Sequence, residues 1–162
     1  MDLLPLIPDN ITEVLTKIIR FSALRSVVLH RNIEEADTPG YVPADLPVSE
    51  FAEILDEAVV EHLRSRRLLF RDTANITFCE NGRMNVQPVV DDLAHALRQV
   101  NPDEYVALQV SKLRENSLNR QVTIQLLKRS GSKITSLQES DWEAATPANR
   151  PTELSSRPNT TD

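Results

Sequence analysis

The 162-residue chain contains few of the residues on which disulfides, thiolate metal sites and thick cores depend. Its single cysteine, Cys79, excludes an intramolecular disulfide and a metal site built from several thiolates. Aromatic residues make up only 4% of the chain, so any core must depend on Leu, Val and Ile. There are only three glycines, and long stretches are rich in good helix formers. This composition predicts a mainly α-helical protein of about one domain, in which helices pack against helices.

Long hydrophobic runs and an excess of positive charge are also missing. No apolar stretch approaches the roughly 20 residues that a membrane-spanning helix needs, so no direct membrane span is predicted. Charges interrupt the start of the chain, which argues against a cleaved secretory signal. These charges are Asp2, Asp9, Glu13, Lys17 and Arg20. The formal net charge of −6 argues against general affinity for nucleic-acid phosphates.

The sequence pattern contains no recognisable arrangement for catalysis. His30, His62 and His95 are far apart and lack the spacing of metal ligands. Asp91 and Asp92 are adjacent, and successive helix residues do not share a face, so we interpret them as surface charges. There is no glycine-rich phosphate loop and no serine nucleophile motif. We therefore expect no enzyme activity, no cofactor, no metal and no small-molecule substrate.

A first amphipathic helix is predicted to begin near Asn10, because Asn10 and Glu13 resemble a capping box. Its apolar residues follow three-and-four spacing and form a broad stripe that needs a partner. They are Ile11, Val14, Leu15, Ile18, Ile19, Leu24, Val27 and Val28. The helix should end before Thr38, since Pro39 disfavours a helical residue in front of it and Pro39-Gly40 fits the centre of a type II turn.

The central region is predicted to be rich in turns. Ser49 is a candidate N-cap for a second helix, which should fade around Arg66. Asn81-Gly82 indicates a hairpin over residues 76–86, in which Glu80 would lie opposite Arg83. After Pro88, a short amphipathic helix is predicted from a further set of apolar residues. They are Val89, Val90, Leu93, Ala94 and Leu97.

A long C-terminal helix is predicted to start at Asn101, with Pro102 in its first position and Glu104 completing a capping box. Its apolar residues follow a four-three register that favours coiled-coil-like packing. They are Val106, Val110, Leu113, Ile124 and Leu127. We therefore divide the chain into four parts, the last of which has too few apolar residues to order itself. The parts are an N-terminal helix over 1–36, a central region over 37–104, a C-terminal helix over 105–130 and a disordered tail over 131–162.

Two patches of sequence resemble the flagellar basal body rod proteins, most closely the FlgB type of proximal rod subunit. The first follows the motif Asn-Ile-Ala-Asn-Ala-Asp-Thr-Pro-Gly-Tyr of that family at the end of an N-terminal amphipathic helix. Its matching residues are Asn32, Ile33, Ala36, Asp37, Thr38, Pro39, Gly40 and Tyr41. The second patch looks like the C-terminal helix signature of the family. Its residues are Asn116, Leu118, Gln121, Leu126 and Leu127.

This resemblance implies a structural role. It implies long N- and C-terminal helices that pack together, and helical assembly with neighbouring rod subunits through the motif residues. It also implies contact with membrane-ring and export-apparatus components of the basal body. Export through the flagellar type III apparatus without a cleaved signal, and assembly in the periplasm, would follow. The Pro39-Gly40 turn would direct the chain outward, and Tyr41 would anchor that turn against a neighbouring helix.

Two other interpretations remain open. The same apolar stripes would serve a helical adaptor that binds a protein unrelated to the rod. The basic run over residues 64–71 would suit a small nucleic-acid-binding helical protein, although cations near the end of a helix also interact favourably with its dipole. Helical polymerisation would separate the rod subunit from the adaptor, and salt-sensitive retention on nucleic acid would support the third interpretation.

Overall fold

The computed structural model describes residues 6–129, which form a mainly helical protein with two small antiparallel sheets. In chain order the elements are α1 (Leu6–Glu34), β1 (Ala44–Asp45), α2 (Val48–Ser65), β2 (Ile76–Phe78), β3 (Met84–Val86), β4 (Val89–Val90), α3 (Asp92–Val100) and α4 (Pro102–Arg129). The predicted α-helical class is confirmed. The predicted disordered tail over 131–162 lies outside the described residues.

Helix α1 begins about one turn earlier than the sequence predicted, at Leu6 instead of Asn10. Pro8 is compatible with this start because amides in the first turn have no partner inside the helix, so its missing N–H costs no hydrogen bond. The helix ends at Glu34, and Arg31 lies in its last turn, where a cation is favoured.

Helix α2 begins at Val48, and the prediction of Ser49 as its N-cap was wrong. Pro47 occupies the cap position without a side-chain hydrogen bond, and its carbonyl accepts from the Phe51 amide at 3.0 Å. The predicted end near Arg66 is confirmed: Arg66 adopts a left-handed conformation with φ of 61° and donates its N–H to the His62 carbonyl.

The predicted hairpin is present, with β2 antiparallel to β3. The predicted register at its tip was wrong, because the Cys79 amide donates to the Arg83 carbonyl at 2.9 Å, so Cys79 and not Glu80 lies opposite Arg83. Only Gly82 has a positive φ in this loop, +77°. A three-residue loop with glycine in the left-handed position explains this geometry better than a two-residue Asn-Gly turn.

The second sheet pairs β1 with β4, with Ala44 opposite Val90 and Asp45 opposite Val89. The prediction that Val89 and Val90 begin a helix was therefore wrong. Helix α3 starts after them because the Asp91 side chain caps it, accepting from the Ala94 amide at 3.0 Å.

Two apolar clusters form the core. In the larger one, the rings of Phe21 and Phe51 stack with their centroids 4.1 Å apart, between α1 and α2. In the smaller one, Ile19 of α1 contacts Leu127 of α4. The middle of α1 thus lies beside the end of α4, and hydrogen bonds from the later part of α1 to the earlier part of α4 show that the two helices are antiparallel.

Candidate functional site: the turn after the first helix and the polar seam between the long helices

The face that α4 buries is mostly polar. Its buried residues are Tyr105, Gln109, Asn116, Thr123 and Leu127. The predicted apolar seam is present only at the end of the helix, where Leu127 is buried and Ile124 packs beside it, whereas Val106, Val110 and Leu113 are only half-buried. The helix is rotated by about one residue relative to the prediction because hydrogen bonds to α1, which hydrophobic periodicity does not reveal, determine which face is inside.

Asn32, near the end of α1, is fully buried and is the centre of this polar seam. Its side-chain nitrogen donates to the Ala44 carbonyl at 2.7 Å and to Gln109 Oε1 at 2.9 Å. Its side-chain oxygen accepts from the Tyr41 hydroxyl at 2.8 Å and from the Ala44 amide at 3.2 Å. All four hydrogen-bonding positions of the side-chain amide are therefore used, and they connect α1 to α4 and to the segment after the turn.

Tyr105 adds a bond between the same helices. Its hydroxyl donates to the backbone oxygen of Asn32 at 2.8 Å, and burial raises the pKa of Tyr105 to about 12. Burial also raises the pKa of Tyr41. The two phenols are thus held neutral, as donors, at physiological pH.

The turn itself has the predicted geometry. The Tyr41 amide donates to the Thr38 carbonyl at 3.2 Å, and Gly40 has a φ of +75°, as the third position of a type II turn requires. The Thr38 hydroxyl donates to Glu35 Oε2 at 2.6 Å. Tyr41 anchors the turn to Asn32 on α1 of its own chain.

Arg98 of α3 holds the turn from the other side. Its guanidinium donates to the carbonyls of Ala36 at 2.9 Å and Tyr41 at 3.1 Å, and more weakly to Glu35 at 3.5 Å. It also donates to the Thr38 carbonyl and lies 5.9 Å from the centre of the Tyr41 ring. A rigid fork of donors is suited to several carbonyls that point to one place. Helix α3 therefore holds the motif turn through Arg98, a contact that the sequence did not reveal.

A four-residue charge cluster lies next to Asn32. Arg25 makes two hydrogen bonds of 2.8 Å with Asp45, and Lys112 bridges Asp45 at 3.0 Å and Asp91 at 2.5 Å. Burial alone raises the pKa of Asp45, but Arg25 and then Lys112 outweigh it, so the pKa lies below its ordinary value. The interpretation of Asp91 as a surface charge was wrong, because its side chain is largely buried against Lys112.

The side chain of Asn116 on α4 also contacts α1, farther along the same helix pair. Its amide nitrogen donates to the Ser22 carbonyl at 2.7 Å and to Ser26 Oγ at 2.9 Å. Together with Asn32 and Leu127, it is a motif residue that this chain buries internally. Of the other motif residues, Ile33, Ala36 and Tyr41 are half-buried. The exposed ones are Asp37, Thr38, Pro39, Gly40, Leu118, Gln121 and Leu126.

An apolar stripe lies on the outward surface of α4, to one side of the polar seam. Leu118, Val122 and Leu126 are 60%, 51% and 47% exposed, and they recur every four residues along one face. An open groove of about 550 Å³ runs along this stripe. Helix α1 also carries exposed apolar residues, Leu24 and Val27, away from its buried face. Both long helices therefore present apolar surface outward.

The described residues offer little for other chemistry. Within residues 6–129, no group of three metal-ligating side chains is close enough to hold an ion, and no helix is long and apolar enough to cross a membrane. Cys79 is exposed at the hairpin. Comparisons with protein families, with curated proteins and with solved structures find no match to this chain.

Proposed function

We propose that this chain is a structural subunit of the bacterial flagellar basal body rod, of the proximal type, and that it assembles helically through its terminal helices. The observation that carries the proposal is the distribution of polar and apolar residues around α4. This helix buries a polar seam in its own chain and exposes the stripe Leu118, Val122 and Leu126. In an isolated protein this stripe stays in contact with water, whereas a subunit can bury it on a neighbour.

The contacts between α1 and α4 also support an assembling role. Hydrogen bonds of Asn32, Tyr105 and Asn116 fix the relative position of the two helices. Directional polar contacts define one alignment more strictly than apolar contacts alone, because a shifted helix would leave buried groups unpaired. The pair is therefore a preorganised unit, which lowers the cost of adding it to a growing structure.

The motif turn supports the resemblance on which the proposal depends. Asn32 binds Tyr41 and Ala44, and Arg98 binds the carbonyls around Thr38, so the conformation of this segment is strongly determined. Asp37, Pro39 and Gly40 are exposed on its outer surface. A neighbouring subunit would meet a rigid projection there. If the two subunits use different surfaces in this contact, the contact repeats from subunit to subunit along a helix and does not form a closed dimer.

The partners in this proposal are neighbouring rod subunits and, at the base, membrane-ring and export-apparatus components. Export by the flagellar type III apparatus would deliver the chain to the periplasm. The role requires no catalysis, cofactor or nucleic acid. The arginines of the basic run over 64–71 are exposed, and Arg64 pairs with Glu61 at 2.9 Å, while Phe70 of the same run packs against the core.

Electron microscopy of purified basal bodies tests the proposal. A source strain with an in-frame deletion of the gene should yield basal bodies without rods, and complementation with the full chain should restore them. Intact rods in the deletion strain would contradict the proposal and favour a helical adaptor that uses the same exposed stripes on another protein.

A further inference from the structure

Helix α2 has an outward face that its own fold does not use. Phe51, Ile54 and Ala58 form its buried face. The opposite face carries Val60 and Leu63, which are 56% and 69% exposed. Apolar side chains this exposed on one helix are a candidate contact surface.

Acidic residues surround that face. Glu53, Asp56 and Glu57 are all exposed and lie on the outward side, within two turns of Val60. An open groove of about 460 Å³ is lined by the apolar residues Val60 and Leu69, by the acidic residues Asp56, Glu57 and Glu61, and by Arg64 and Arg71. Arg64 lies at the C-terminal end of α2, away from Glu53 and Asp56. The α2 face is thus an apolar patch whose N-terminal half is negatively charged.

The stripe on α4 has the complementary pattern. Leu118, Val122 and Leu126 lead to Lys128 and Arg129, which are exposed in the last turn of the helix. Residues 118–129 span about 16 Å of helix, and residues 53–63 span about 15 Å, so the two faces match in length. In an antiparallel arrangement, the basic end of α4 meets the acidic half of α2 while Leu118 lies near Leu63.

We infer that the acidic α2 face of one copy of this chain docks on the basic-ended α4 stripe of a second copy. The inference rests on the proposed function, since it assigns one contact of the assembling subunit. The two surfaces differ and belong to different helices, so each copy can offer one and accept the other. Such a contact is heterologous and continues from copy to copy. Complementary charge fixes which surfaces meet and in which direction.

A charge-swap experiment tests the contact in the full-length protein. One variant carries Asp56→Lys and Glu57→Lys, and a second carries Lys128→Glu and Arg129→Glu. Each alone should self-associate at least about tenfold more weakly than the unchanged protein in sedimentation at low salt. An equimolar mixture should recover association, because the reversed α2 face of one variant fits the reversed α4 end of the other. Glu80→Lys with Asp103→Lys is the control for the α2 variant, because it makes the same change in net charge on exposed sites elsewhere. Arg66→Glu with Arg67→Glu is the corresponding control for the α4 variant.

Cysteine cross-linking gives a second readout that does not depend on charge. In a Cys79→Ser background, a Val60→Cys protein mixed with a Val122→Cys protein should form a mixed disulfide well above the level of a Val60→Cys and Ala107→Cys mixture, because Ala107 is exposed on α4 outside the proposed contact. An unchanged protein that stays monomeric, a mixture of charge variants that does not recover, or equal cross-linking at both positions would overturn the inference. Circular dichroism confirms that each variant is folded.

The outcomes separate this contact from the rod function. If basal bodies of the deletion strain lack rods but the mixture of charge variants does not recover association, the contact between α2 and α4 is wrong and the rod function is supported. If the deletion strain has intact rods but the mixture of charge variants recovers association, the rod function is wrong and the chain is a self-associating helical protein.

Discussion

Tyr105 and Asn32 join the two long helices across 73 residues of chain, with the Tyr105 hydroxyl 2.8 Å from the backbone oxygen of Asn32. Both residues are fully buried, and the Asn32 side chain makes four further hydrogen bonds. The turn, β1 and α4 are thereby tied to one position on α1. Removal of the Asn32 side chain should therefore disturb the turn, β1 and α4 together.

Replacement of Asn32 by Ala should lower the free energy of unfolding by about 2 to 4 kcal/mol, because it leaves buried groups of Gln109, Tyr41 and Ala44 without their partners. Urea denaturation measures the change. Asn119→Ala is the matched control on the exposed side of α4 and should cost less than about 1 kcal/mol. Equal effects of the two substitutions would contradict the central role of Asn32.

The raised pKa of Tyr105 predicts a loss of stability in alkali. The phenol has a pKa of about 12 in the fold against an ordinary value of 10.0, so its stabilising effect is complete below pH 10 and is lost as the pH rises through 12. The stability of the unchanged protein relative to Tyr105→Phe should therefore fall over this range. Chemical denaturation at several pH values measures it, and a difference that does not change between pH 10 and 12 would contradict the burial of the hydroxyl.

The charge cluster predicts the opposite response at low pH. The pKa of Asp45 lies below its ordinary value of 3.8 in the fold, so its stabilisation is present above that value and is lost as the pH falls through the lower folded pKa. Asp45→Asn should cost about 2 to 4 kcal/mol at neutral pH, since Arg25 loses its carboxylate partner. This cost should shrink below about pH 4. The exposed substitution Asp103→Asn should show no such trend, and a cost for Asp45→Asn that persists unchanged in acid would refute the account.

Arg98 should control the rigidity of the motif turn more than the stability of the whole chain. Arg98→Lys keeps the charge but cannot reach the carbonyls of Ala36, Thr38 and Tyr41 together. We expect amide hydrogen exchange of Tyr41 and Thr38 to accelerate about tenfold, while the α2 amides are unaffected. Arg67→Lys, on an exposed residue, is the control. Unchanged exchange at Tyr41 would mean that the type II turn is stable without Arg98.

Local signals in the sequence were sufficient for several elements. Asn101 caps α4 as predicted, with the Glu104 amide 3.2 Å from its side-chain oxygen, because capping depends on residues three positions apart. The Pro39-Gly40 turn was predictable because it too depends on neighbouring residues, with Gly40 at the position that requires a positive φ.

The elements that the sequence did not predict depend on partners far along the chain. Val89 and Val90 form a strand only because β1 is beside them, and their apolar character fits a short helix equally well. The buried face of α4 is set by Gln109, Lys112 and Asn116, whose partners on α1 and in β1 lie 67 to 94 residues away. Polar pairing at such distances leaves no periodic signal. Arg98 and the charge cluster were missed for that reason.

The exposed stripe of α4 is the feature that distinguishes a rod subunit from an isolated helical protein, so rod assembly should depend on it. The measurement is electron microscopy of basal bodies from the deletion strain complemented with a Leu118→Gln, Val122→Gln, Leu126→Gln chain. These side chains are outside the core, so the purified variant should keep its unfolding free energy within about 1 kcal/mol. We expect this folded variant to fail to restore rods, whereas rods of normal appearance would contradict assembly through the stripe.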